Sequence, residues 1–145
     1  MTIRAWTIAF AALALVSVGA QTALASEETL AAEIRAVVDG NAAAYAREDA
    51  AATMGFVHTK SPDYEATRDA LAAQFAAYDV TTQVVGFTLM GHDDEFVVAR
   101  VKLKSTAKAG TGFTNNVTDS IAIFHQENGA WKLWDESILG IQLLP

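Results

Sequence analysis

The chain has no cysteine at all and only 2 prolines among its 145 residues. Without cysteine there is no disulfide, no Cys–zinc site and no thiol nucleophile. Basic residues are also scarce: 10 Lys and Arg face 17 Asp and Glu, a net charge of −7. An acidic balance of this size argues against nucleic acid and against anionic membranes as partners. Histidine is limited to His58, His92 and His125, scattered without metal-ligand spacing, so no metal and no other cofactor is expected. His92 lies among Asp93, Asp94 and Glu95, but consecutive turn residues point in different directions and read as a solvated turn. No Gly-x-Ser-x-Gly elbow surrounds any serine, and no phosphate-binding loop is present.

A long apolar run occurs once, at the start. Arg4 precedes Ala5–Ala20, and Ala23-Leu24-Ala25 is a small-x-small cleavage pattern. This is the layout of a secretory signal peptide, with cleavage expected after Ala25 and a periplasmic or secreted product. The run is shorter than the ~20 residues of a membrane-spanning helix. Residues 26–145 then form one domain. Without Arg4, 9 basic residues face 17 acidic ones, net −8.

The apolar residues that follow have helical spacing. Leu30, Ile34, Val37, Val38, Asn41 and Tyr45 predict a helix over 28–47, which Gly40 weakens by roughly 1 kcal/mol relative to alanine. Asp49 caps a short second helix through Phe56. After the loop 58–63, which contains Pro62, a third helix runs over 64–78 on Tyr64, Leu71, Phe75 and Tyr78. From Val80 the period changes to two. Strands are expected over 80–90 and 95–105, the first with Val85, Phe87 and Leu89 on one face. Val97, Ala99, Val101 and Leu103 share a face of the second. A hairpin over 113–144 turns at Glu127-Asn128-Gly129.

The register of that hairpin decides which side chains share a face. A two-residue loop pairs Glu127 with Ala130 and Phe124 with Leu133. A three-residue loop pairs Gln126 with Ala130 and collects more aliphatic residues on one face, so it is the expected register. It places Val117, Asp119, Ile121 and Ile123 inward with Trp131, Leu133 and Asp135. Phe96, Val98, Ala122, Phe124, Trp134 and Ile138 then make an apolar outer face, which marks a partner surface.

Three helices followed by four antiparallel strands make an α+β fold, with the helices closing a curved sheet into a cone. Together with the Gly-x-Trp-Lys-aliphatic segment at Gly129, Trp131, Lys132 and Leu133, this layout resembles the nuclear transport factor 2-like superfamily over residues 28–144. Its members include ketosteroid isomerase, scytalone dehydratase and polyketide cyclases. The resemblance implies a cone-shaped pocket, enzymes that project acids, His or Tyr into it, and a homodimer formed through the outer sheet face, but the superfamily also hosts binding and interaction modules. Asp119 and Asp135 are the catalytic candidates, because carboxylates on an apolar face near one another have separated pKa values. Asn41, Tyr45, His58, Tyr78 and Trp131 are the ligand-contact candidates. The leading expectation is a domain that binds a small apolar molecule or a protein partner without chemistry. The rival is a cofactor-independent acid–base isomerase, dehydratase or cyclase.

Overall fold

In the computed structural model residues 17–108 and 112–145 are described, with side chains from Ser26 onward. The expected signal segment therefore lies mostly outside the described residues. Helix α1 spans Ser17–Ala46, α2 Ala50–Met54 and α3 Tyr64–Ala77. Strands β1 (Val80–His92), β2 (Phe96–Ala107), β3 (Asn116–Glu127) and β4 (Ala130–Leu143) form one antiparallel sheet in the order β1-β2-β3-β4. The backbone of α1 begins earlier than Glu28, at Ser17. Asp49 caps α2 as expected, its Oδ1 accepting from Ala52 N–H at 2.9 Å.

Asn128 and Gly129 both adopt positive φ, 54° and 80°. Two consecutive left-handed residues make a type I′ turn, whose twist matches the flanking strands. Glu127 therefore pairs with Ala130 and Phe124 with Leu133, and the loop has two residues, not the three expected. A one-residue slip flips a whole strand. On β3, Ser120, Ala122 and Phe124 are buried inside at 0%, 4% and 1% exposure, and Asp119, Ile121 and Ile123 lie on the convex side. Pairing with β2 fixes this, because Phe124, Ala122 and Ser120 stand opposite the buried Val97, Ala99 and Val101. Ala122 and Phe124 thus belong to the core and not to the outer face.

Bulges shift the parity of the edge strands. On β4, Trp134 and Leu139 are the extra residues, so the inward Leu133 is followed by an inward Glu136. On β1, Val85 is extra and 51% exposed, and Val84 packs on the core in its place beside Phe87 and Leu89.

Helix α1 lays Ile34 and Val38 across the concave face, against Val97, Ala99, Val101, Ala122 and Phe124. A second, smaller core joins Met54, Val57 and Leu71, with Tyr45, Tyr64 and Phe75 packed against it. The segment after α2 closes the edge of β4: His58 N–H donates to Leu133 O and Leu133 N–H to Phe56 O, both at 2.8 Å. Phe56 is thereby aimed back at α1. A Cβ placed on Gly40 would lie 2.6 Å from Phe56 Cζ and 2.8 Å from its Cε1, so the glycine makes room for the ring. Gly40→Ala normally gains ~1 kcal/mol in a helix interior. Here the overlap, costing ~1–3 kcal/mol, reverses the sign. Urea titration should find Gly40→Ala destabilising in the native background and stabilising once Phe56 is alanine.

Candidate functional site

Where α1 crosses the concave sheet, a cavity of about 40 Å³ remains between Val37, Val38, Phe56, Val101, Phe124 and Leu133. At ~10–15 Å³ per water on this measure, it has room for about three or four water molecules, and drug-sized ligands need several hundred. Its polar lining is Asn41 and Glu136. Asn41 lies one turn before Tyr45 on α1, and its Nδ2 donates to Thr53 O at 3.2 Å. The fully buried Ser120 hydroxyl lies 2.6 Å from Glu136 Oε1, to which it donates. Glu136 and Ser120 were not among the candidates from the sequence, since strict alternation after Leu133 selects Asp135 and only the bulge at Trp134 turns Glu136 inward.

Outside the cavity, a groove of about 460 Å³ runs between α1 and the hairpin tip. Glu33, Val37, Phe56, Gln126, Trp131 and Lys132 line it. Val37 and Phe56 also line the cavity, so these two side chains form the wall between the two spaces. Lys132 Nζ hydrogen-bonds Gly55 O on the groove's rim.

The structure scatters the other candidates. Asp119 faces out, gripped by Arg100 through Nε at 2.8 Å and Nη2 at 2.6 Å, with Lys102 Nζ at 3.5 Å. The Arg100 hydrogen bonds, opposed by partial desolvation and helped by both cations, hold its carboxyl down at about 2. Such a group neither accepts nor delivers protons near neutral pH. The ion pair stabilises the fold above the ordinary carboxylate value of ~4, and its contribution is lost as pH falls towards 2. The stability difference between the native chain and Asp119→Asn should shrink over that window and stay flat from pH 5 to 8. Asp135 is opposite Ile123, also on the convex side. Its Oδ1 accepts from Glu136 N–H at 2.7 Å. Asp119 and Ile123 are four residues apart on β3, roughly 14 Å at 3.4 Å per residue, so the two aspartates are not neighbours.

Tyr45 packs edge-on against Phe75, with ring centroids 5.1 Å apart, in the helical core. Burial first, and Glu48 second, push its phenol up to about 12. Tyr78 is 40% exposed and stacks edge-on against Phe113 at 5.5 Å. His58 is 4% exposed but lies on the convex side, its ring 4.9 Å from Trp134. Its Nδ1 accepts from Lys60 N–H at 3.0 Å, and its Nε2 is 3.2 Å from His125 Nδ1. Glu127, whose pKa the Thr59 hydroxyl lowers most, sits 3.7 Å from His58 Nδ1. Among the contact candidates, Asn41 lines the cavity and Trp131 the groove. Among the described residues no group of three or more His, Cys, Asp and Glu is placed to hold a metal. Nor, among them, is any helix long and apolar enough to cross a membrane, which says nothing of a β-barrel.

A protein-family model described as "Anti-sigma-I factor RsgI9, C-terminal domain" matches residues 36–144. The chain belongs to this family. Its fold is nuclear transport factor 2-like, as solved structures show. One is a protein of unknown function with a cystatin-like fold from Nostoc punctiforme PCC 73102, at a TM-score of 0.62 and 12% identity, over 78% of this chain and 90% of that one. A putative aromatic ring hydroxylase from Novosphingobium aromaticivorans gives 0.61 at 11% identity, over 77% and 91%. An NTF2-like protein with a cystatin-like fold, also from Novosphingobium aromaticivorans, gives 0.60 at 14%, over 86% and 88%. These identities show the fold alone. No curated protein matches the sequence. The RsgI9 C-terminal-domain match covers α1 from Ala36 onward and all four strands, so it includes the cavity lining and all of the groove lining except Glu33.

Proposed function

We propose that this domain recognises a small apolar molecule at the concave side of its sheet and does not transform it. The observation that carries this reading is the lining of the cavity: apolar walls, Asn41 and one carboxylate, with Asp119 ion-paired and Asp135 hydrogen-bonded outside. Among the described residues, no second acid, histidine or tyrosine lines the cavity beside Glu136, whose carboxylate is hydrogen-bonded to the Ser120 hydroxyl. The family's description names a domain of an anti-sigma factor, which favours recognition over turnover. In the same proposal the chain is exported, with residues 26–145 as the mature domain, periplasmic or secreted.

A thermal-shift screen of residues 26–145 against small apolar, aromatic and carbonyl compounds tests the reading. A ligand that binds only the native state raises stability by RT ln(1 + [L]/Kd), so hits should raise the melting temperature and be recovered unchanged. Conversion of any hit compound, lost on Glu136→Gln, would overturn it in favour of an isomerase or dehydratase that uses Glu136.

We propose further that two copies pair through the convex face, where Phe96, Val98, Ile121 and Ile123 are half-buried side by side. Light scattering should give the mass of two chains for the native protein and of one for Ile123→Lys. A native mass of one chain would refute the pairing.

A further inference from the structure

The cavity is too small for a ligand and the groove beside it is open, and the side chains of Val37 and Phe56 stand between them. Phe56 lines both spaces and rests on Gly40 of α1. The backbone on either side of it is held. Gly55 N–H donates to Ala51 O at 3.0 Å, and the Phe56 carbonyl and His58 N–H are both bonded to Leu133. The half-buried Phe56 side chain has no such tether. It can leave its place by rotation about χ1, a motion that breaks no backbone hydrogen bond. Once the ring swings out, its own volume adds to the cavity of about 40 Å³. The sum approaches the ~150 Å³ that accommodates benzene in an apolar core, and the space opens into the groove.

The charges around the merged space are unequal. Glu136, an exposed residue, lines the cavity and Glu33 the groove wall, and the one cation among the described residues of the two linings, Lys132, is hydrogen-bonded to Gly55 O. Glu136 Oε1 accepts from Ser120, leaving Oε2 for a ligand, and Asn41 donates through Nδ2, leaving Oδ1. Trp131 supplies an aromatic wall near the mouth.

We propose that Phe56 is a gate, and that groove and cavity form one site for a single-ring aromatic molecule bearing a cationic amine. The ring replaces that of Phe56 against Gly40 and Phe124, and the amine meets Glu136 and the Asn41 oxygen. This rests on the domain being a ligand binder, and it specifies the ligand and the residue that controls its entry. The closed position of Phe56 lowers apparent affinity by the fraction of time the gate stands open.

Calorimetric titration of residues 26–145 with benzylamine tests this. The native protein should bind weakly, and Phe56→Ala at least ~10-fold more tightly because the gate no longer has to open. Gly40→Ala, whose methyl enters the space the ligand ring takes, and Glu136→Gln should each weaken binding in the Phe56→Ala background. Phe56→Leu serves if the alanine variant does not fold. Equal affinity of the native, Phe56→Ala and Phe56→Leu proteins would overturn the gate while leaving ligand binding intact. A preference for toluene over benzylamine would overturn the amine end. No binding by any variant, together with no hit in the thermal-shift screen, would sink both readings.

Discussion

Phe124→Ala is expected to remove about 4 kcal/mol of unfolding free energy, within the ~3–5 kcal/mol typical of a buried aromatic, and to lower the melting temperature by roughly 10–20 °C. Phe124 is 1% exposed and is among the largest fully buried side chains. It pairs with Val97 on β2 and Leu133 on β4 and packs in the same cluster as Ile34 and Val38 of α1. The strands on both sides are hydrogen-bonded in register, so their backbones do not close on the space. Ile121→Ala, on the half-buried convex side, should cost about 1 kcal/mol or less. The ordering of these two variants in guanidinium melts reports the hairpin register. A three-residue loop would place Ile121 inside and Phe124 outside and so reverse it.

His58→Ala is expected to cost about 2–4 kcal/mol, the sum of a lost buried ring and of hydrogen-bonding groups left without partners. The His58 ring is wedged between His125 and Trp134, with centroid distances of 5.0 and 4.9 Å. Its removal strands Lys60 N–H and the Nδ1 of His125, and it loosens the segment that covers the edge of β4 beside Leu133. His92→Ala at the exposed end of β1 should stay within ~0.5 kcal/mol of the native value. A similar small effect for His58→Ala in calorimetry would mean that the covering segment does not depend on the imidazole.

The order of helices and strands was legible in the sequence because each element carries a clean period and a cap or turn. The Asn41–Tyr45 stripe, Asp49 and the alternation Val97–Leu103 all stand where their spacing puts them. The inward acid was not legible. Alternation counts residues, and a bulge inserts one without a mark: Trp134 looks like an ordinary strand residue, yet it moves Glu136 rather than Asp135 to the concave side. Asp119 illustrates the other obstacle. Its place on an apolar face followed from a preference for collecting aliphatic side chains, whereas the Asn128-Gly129 backbone favours the two-residue turn that turns it out towards Arg100. Gly40 read as a flaw in a helix, and only the three-dimensional contact with Phe56 shows what it accommodates.

The central claim, that recognition occurs on the concave side through the Phe56 wall, is tested most directly by an NMR titration of isotope-labelled residues 26–145 with benzylamine. The account predicts that shift changes concentrate at Val37, Asn41, Phe56, Leu133 and the Trp131 indole N–H, while Lys102, Asp119 and Gly140 stay still. Changes centred on Lys102, Asp119 and Gly140 on the convex side, or no changes at saturating benzylamine, would contradict it.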